Sequence, residues 1–322
     1  MRPTKLSLAT RLFAGALALI AGARSSSAQT AIVLEVDGTS AAYLSSFQAP
    51  SYEVEDVSQS LGPDHAPPAR KMIGQPKIGE ATAVFNISQA GALLNWVTNA
   101  MEGRSALLDT AVSLVDPNYN IKRGIDMGAC VITGIEWPEL QASDGKKHFE
   151  VTAKWQPQNI KYVGGGSGKP QSLPAPPSAD ALTSTFIVTT PGLKSEWITS
   201  VGLPKITPKI AKESHGKFRL PLLNYASIEF ASLTLGITQD GFEAARSMAS
   251  RVLQDGRCDG AETQEIAIAL KDGARGPVGT FTAVGCLKKF DWAPKLEGGK
   301  EGLATATMEF MVEDFRYKVD HK

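Results

Sequence analysis

Residues 130–140 read CVITGIEWPEL, and residues 285–296 read GCLKKFDWAPKL. Each stretch has a cysteine, a short mostly apolar run, an acid followed by tryptophan, and a proline-containing turn that ends on leucine. Trp137 and Trp292 are 155 positions apart, and Cys130 and Cys286 are 156 apart. One strand entering one turn does not require this order of residues twice. Two copies of a structural unit do, and a fixed offset is the sequence mark of such a repeat.

Outward from these stretches the same order of elements recurs. Extended segments open each copy, AIVLEVDG (31–38) and TSTFIVTT (183–190), and each continues through a second strand into a long polar loop. A further strand follows, EATAVFNIS (80–88) or ASIEFASLTLGI (226–237). The spacing then predicts a helix in each copy. Ala90, Leu93, Leu94, Val97 and Met101 share one face of the first, with Ser88 placed to cap it; Phe242, Ala245, Ala249, Val252 and Leu253 share one face of the second, with Thr238 at its start. Both helices stop at Gly-Arg, Gly103-Arg104 and Gly256-Arg257, where glycine ends the helix and the cation meets its negative end.

Three strands follow in each copy. The last alternates strictly, with Phe149, Val151, Ala153 and Trp155 on one face, matched at the 155 offset by Ala304, Ala306, Met308 and Phe310. The copies close on IKYV (160–163) and RYKV (316–319). Between them, GGGSGKPQSLPAPPSADA (164–181) is too rich in Gly, Pro and Ser to bury a core and reads as a linker. The expected organisation is a leader over 1–28, a first domain over 29–163, a linker over 164–182 and a second domain over 183–322. The expected fold class is mainly β (α+β): two tandem antiparallel β-sandwich or barrel-like domains, each with one packed α-helix.

The leader has the form of a secretory signal. A basic start precedes the apolar run LFAGALALIAGA (12–23), and small residues Ser26 and Ala28 stand where a signal peptidase cuts. No later segment is long and apolar enough to span a membrane. The expected location is secreted or periplasmic; a spurious leader implies cytoplasmic assembly of a virion or tail-like particle instead. The whole chain has 33 basic and 33 acidic residues, of which four basic ones lie in the leader, leaving 29 against 33. Nothing in that balance suggests sequence-specific nucleic-acid binding.

Chemistry is sparse. GSGKP (166–170) lacks the first glycine and the hydroxyl residue of a phosphate loop, having Val163 and Pro170 in those places. DGRCDGAE (255–262) puts Arg257 and Ile266 where a calcium loop needs oxygen ligands. The Ser-x-x-Lys at 214–217 has no companion motif. His65, His148, His215 and His321 are dispersed, without metal-ligand spacing. Asp144 and Glu297 sit beside Gly145 and Gly298 in matched turns, which account for them. No catalytic set, metal site or cofactor is expected, and the chain reads as a non-enzyme. Of the three cysteines, Cys258 and Cys286 are the better pair for a bridge, although burial as free thiols is the favoured expectation.

At the long loop, RKMIGQPKIGEATAVF (70–85) resembles the segment that enters the third strand of tail tube proteins of contractile-tailed bacteriophages. Lys71, Met72, Gly74, Lys77, Gly79 and Glu80 match that pattern, while Ile73 and Ile78 replace its proline and aromatic. In FRLPLLNYASIEF (218–230), Arg219, Leu220, Pro221, Tyr225 and Ile228 match, with the glycines lost. The resemblance covers about 31–166 and 183–320. It implies a small sheet domain with one helix that forms six-membered rings stacked into a hollow tube, the long loop reaching the neighbouring ring. A fused pair then implies three chains per pseudo-sixfold ring, with tail-like or baseplate-like components as further partners. Arg70, Lys71, Gly74 and Lys77 of the first loop and Arg219, Pro221 and Tyr225 of the second are the implied inter-subunit residues. Larger size and an export leader depart from the family's usual form. The competing expectation is a secreted two-domain β-sandwich that binds glycan or protein on Trp137 and Trp292.

Overall fold

The computed structural model describes residues 30–59, 70–89, 91–102, 104, 107–145, 147–165, 169–170, 181–213, 221–255, 263–272, 276–292 and 306–319. The leader over 1–28, Arg219, Cys258, the helix stops Gly103 and Gly256-Arg257, and most of the 164–182 linker lie outside those residues. The first half runs β1 (Ala31–Val36), β2 (Thr39–Gln48), β3 (Tyr52–Gln59), β4 (Arg70–Ile78), β5 (Ala81–Asn86), α1 (Gly91–Met101), β6 (Leu108–Val115), β7 (Ile121–Glu136), β8 (Leu140–Gln141), β9 (Glu150–Gln156) and β10 (Asn159–Val163). The second runs β11 (Phe186–Thr189), β12 (Ile198–Gly202), β13 (Ile206–Glu213), β14 (Leu222–Phe230), β15 (Leu233–Ile237), α2 (Phe242–Asp255), β16 (Gln264–Asp272), β17 (Gly276–Asp291) and β18 (Ala306–Val319).

The fold is mainly β, with two antiparallel sheets in barrel-like arrangements and two α-helices among the described residues. In the first half the hydrogen-bonded order β7-β6-β1-β2-β5-β9 returns to β7, so these six strands close on themselves. Closure removes both edges from that ring of strands. It begins at a two-residue turn: Asp37 and Gly38 both have positive φ, 50° and 71°, the turn geometry whose twist matches a hairpin's. In the second half the order β11-β16-β17-β18-β15-β12 follows the same sequence of strand roles. There β11 and β12 are not paired with each other among the described residues, so the second ring of strands has a seam.

The opening stretch explains how β7 serves two sets of neighbours. Its first part pairs with β6 and β10, its second with β9. The bend falls at Ala129, which has a φ of 48° and donates its N–H to the Asp109 carboxylate at 2.8 Å. Cys130 follows immediately and is buried. The counterpart bend in β17 is a bulge between Val284 and Gly285, again just before the cysteine. A Cβ on Gly285 would meet the Met311 carbonyl oxygen, so the backbone approach there requires glycine.

The alternation of the last strand holds, with Val151, Ala153 and Trp155 buried in the first half and Ala306, Met308 and Phe310 in the second. The helix faces hold as well: Leu93, Leu94, Val97 and Met101, then Ala245, Ala249 and Val252, are buried, while Phe242 is half-buried. Trp96 adds to the first face and packs edge-on against Trp155 at 6.2 Å. The helix starts differ from expectation. Ser88 lies in a 3-10 turn before α1, where its N–H and hydroxyl both donate to Asn86 Oδ1 (3.0 and 2.7 Å). Thr238 occupies the cap position of the turn before α2 without a side-chain bond. The cysteine expectation is also corrected. Cys130 is a free thiol, pushed up to about 12 by burial, but Cys286 is disulfide-bonded.

Both polar loops are in fact paired strands. The pairs β3–β4 and β13–β14 are antiparallel ribbons, each with a bulge three or four pairs from its base. Such a ribbon is held by backbone bonds with little burial, so it carries no strict apolar alternation and its sequence reads as loop.

Candidate assembly surface

Each half completes the other's sheet. β8, in the turn that follows Trp137, pairs with β12 of the second half (Val201 opposite Leu140, Ser200 opposite Gln141). In return, the β13–β14 ribbon attaches to β7 of the first half, where Ile206 is opposite Ile135. The segment 141–149 is bonded along 181–199: Phe149 N–H donates to Ala181 O at 2.8 Å, Thr183 N–H to Lys147 O at 2.9 Å and Ala142 N–H to Thr199 O at 2.9 Å. The last linker residues, Ala181 and Leu182, are thus part of the joint, and Ala181 is buried. The turn at Asp144 and Gly145 belongs to it too, through Thr183 Oγ1 to Asp144 (3.3 Å) and Ser184 Oγ to Gly145 O (2.7 Å).

Side chains seal this backbone frame. Trp137 projects from the first half into rings of the second: Phe281 at 4.9 Å, Tyr317 at 6.2 Å and Phe315 at 6.3 Å between centroids. Phe281 in turn stacks on Phe315 and meets Phe149. The indole N–H of Trp137 has no acceptor among the described residues, so the contact is one of apolar packing and ring edges. Of the two tryptophans weighed as ligand platforms, only Trp292 presents most of its ring to solvent.

Glu136 joins the halves electrostatically. Its carboxylate accepts from Lys154 Nζ of its own half at 2.8 Å and from Lys205 Nζ of the other at 2.6 Å. The Lys154 hydrogen bond first, and then that of Lys205, hold its carboxyl below the ordinary value of 4.5. A carboxyl whose folded pKa is depressed contributes stability above its unfolded value, and that stability is lost as pH falls through the folded value. Acidification below about 4.5 is therefore expected to loosen the joint, and Glu136→Gln to remove this part of the pH dependence. Urea unfolding of both proteins at neutral and acid pH checks it; equal slopes against pH show that the pair contributes nothing. The effect is modest, because the carboxylate is partly exposed and screened by water.

The residues implied at sequence level fall in several places. Arg70 and Lys71 begin β4, opposite Gln59 and Ser58. Gly74 is beside the bulge of that ribbon and Lys77 is exposed near its base. Lys77 and Pro221 line one cleft of about 230 Å³ with Ser51, Gly79, Gln156 and Leu223, so the base of the β3–β4 ribbon adjoins the far end of the β13–β14 ribbon. Tyr225 is bound within the chain: its hydroxyl accepts the Ile132 N–H at 2.8 Å, and burial pushes the phenol up to about 12. Sequence reasoning passed over the exposed apolar side chains of the first ribbon, Tyr52, Val54, Val57 and Ile73, and Tyr162 on β10. Tyr52 and Val54, two residues apart in YEVEDV (52–57), were their only local signal, and Val57 breaks that alternation. Among the described residues, no three His, Cys, Asp or Glu side chains are grouped to hold a metal ion, and no helix is long and apolar enough to cross a membrane.

No family model matches the chain, and no curated protein does. Solved structures with a partial likeness come from contractile injection systems and related proteins. A chain of the anti-feeding prophage baseplate is 17% identical, covering 41% of this chain and 91% of that one with a TM-score of 0.32. A chain of the sheath/tube terminator of the extracellular contractile injection system PVC is 14% identical, covering 42% and 94% with a TM-score of 0.34. Hcp1 from Flavobacterium johnsoniae is 14% identical, covering 42% and 96% with a TM-score of 0.27. Overlaps of this size assign neither family nor function.

Proposed function

We propose that this chain is a non-enzymatic structural subunit, built as a tandem duplication of a tail-tube-like unit, that assembles with copies of itself into rings or a hollow tube. Support comes from one observation above all: two halves with the same order of strand roles are joined by exchanging strands. A contact of that kind is heterologous, and heterologous contacts repeat until they close a ring or run on as a filament. Three chains per ring give pseudo-sixfold symmetry. Removal of the 1–28 leader on export puts the assembly outside the cytoplasm, with tail-like or baseplate-like components as additional partners.

Negative-stain microscopy and light scattering of the chain lacking residues 1–28 test this. Rings or short tubes are expected at high protein concentration. A protein that stays monomeric throughout the accessible range sinks the proposal.

A further inference from the structure

We infer that the joint between the halves is repeated between chains: Trp292 of one copy packs on exposed Tyr162, beside half-buried Ile160, of a second copy, whose β3–β4 ribbon lies along β17 of the first. The inference rests on the self-assembly proposed above and names the surfaces that carry it.

Strand registers fix which residues correspond. Tyr162 is opposite Ile125, as Tyr317 is opposite Phe281, and Ile160 is opposite Met127, as Phe315 is opposite Ala283. The pocket that receives Trp137, made by Phe281, Phe315 and Tyr317, therefore has Ile125, Ile160 and Tyr162 as its first-half counterpart. The ribbons align from their bases, where Gly79 N–H donates to Ser51 O and Ala231 N–H to Lys205 O, both at 2.8 Å. That makes Tyr52 the counterpart of Ile206, since they lie opposite Ile78 and Phe230. Ile73 and Tyr225 each stand in the first pair beyond the bulge.

Ile125 is itself buried in the first half and Ile160 is half-buried, so Tyr162 is the group this face presents; at four other corresponding places the member used inside the chain is the more covered one. Tyr317 is 4% exposed and Tyr162 70%; Ile206 is 0% exposed and Tyr52 59%. Tyr225 is half-buried on β7, whereas Ile73 is 79% exposed. Trp137 is enclosed by three rings, while Trp292, resting on Phe242 at 5.7 Å, remains 66% exposed. Large aromatic and aliphatic groups at four equivalent places mark a patch with a partner. A second copy of this chain fits it, because its opposite end carries the complementary surface already used in the internal joint. One difference distinguishes the two contacts. The Glu136–Lys205 ion pair is replaced by Asp291 and Ser51 in the corresponding places, so the chain-to-chain contact is less dependent on charge.

Sedimentation velocity of the wild type, Trp292→Glu, Tyr162→Glu and an equal mixture of the two variants provides the test. Both residues are exposed, and unchanged melting temperatures of the isolated variants verify their folds. Each variant alone is expected to need at least about thirtyfold more protein than the wild type to assemble, the loss typical of a central interface aromatic. The mixture restores one intact contact per pair and should yield dimers that grow no further. Assembly of either single variant at the wild-type concentration overturns the interface while leaving self-assembly standing. Two assembly-defective variants that do not dimerise on mixing also overturn it, because the contact is then not head to tail. A monomeric wild type removes the inference and the proposed function together.

Discussion

Replacing Trp137 by alanine is expected to destabilise the folded chain by about 3 kcal/mol, the lower part of the range for a large aromatic, since the ring is partly exposed. The loss has two parts. The indole's contacts with Phe281, Phe315 and Tyr317 disappear, and a cavity opens between the halves where their strand exchange depends on close approach. Unfolding in urea followed by tryptophan fluorescence measures it, with a second probe in the far ultraviolet. Beyond the lower midpoint, the transition is expected to broaden or divide, because the two halves lose the side chain that couples them and two-state behaviour fails when units melt separately. A Trp137→Ala protein as stable as the parent, with a single sharp transition, would return Trp137 to the role of a ligand platform. Trp292→Ala makes the contrast: its ring is mostly in solvent, so monomer stability should change little.

Trp155→Ala is expected to have the larger effect, about 4–5 kcal/mol, originating in the core of the first half. Trp155 is fully buried on β9, between Phe47 at 6.2 Å and Trp96 at 6.2 Å, in the strand that pairs with both β5 and β7 and so closes the ring of six. Its place in the second half is taken by Phe310, also buried. Calorimetry is the suitable measurement. A marked fall in the melting temperature is expected, because a loss of this size is a large part of a domain's total stability. A change below about 1 kcal/mol would mean that this core collapses around the lost ring at no cost.

The core was far more legible than the contacts. Period-two burial along β9 and β18, and the 3.6-residue stripes of α1 and α2, follow from one-sided packing, and Val151, Trp155, Met308, Leu94 and Ala249 read correctly for that reason. The cysteine–tryptophan spacing fell on the last part of β7 and of β17, and the residues before each cysteine turn out to bend their strands. Beyond that, single-sequence signals gave out where partners are distant in the chain. Nothing local tells Tyr225 that its hydroxyl meets the Ile132 N–H, 93 positions away, or Trp137 that its pocket is made by residues 281–317. The ribbons were missed because burial among their described residues is sparse, at Pro76 and Ile78 on β4, Ile206 and Pro208 on β13 and Leu223 on β14, too short a run on any strand to imprint a period. The bonding of Cys286 was misjudged on a count of three cysteines, which sets an upper limit on bridges and says nothing of proximity. The same distances hid the candidate surface: Tyr162 and Tyr317 are similar letters in similar strings, and only the fold shows that one is covered and the other bare.

The reciprocal placement of β8 on β12 and of β13–β14 on β7 also governs how the protein responds to dilution. Contacts between parts of one polymer form at an effective concentration of about millimolar for a short flexible connection, independent of how much protein is present. The internal joint therefore persists at any working concentration, while the contact between chains is met only at the free concentration of a second molecule. If the proposed assembly forms, joining the halves in one chain removes one of every two association steps from mass action. In the assembly proposed above, what dissociates on dilution is then the whole chain, and the step that limits growth is the meeting of two chains already folded around their own joint.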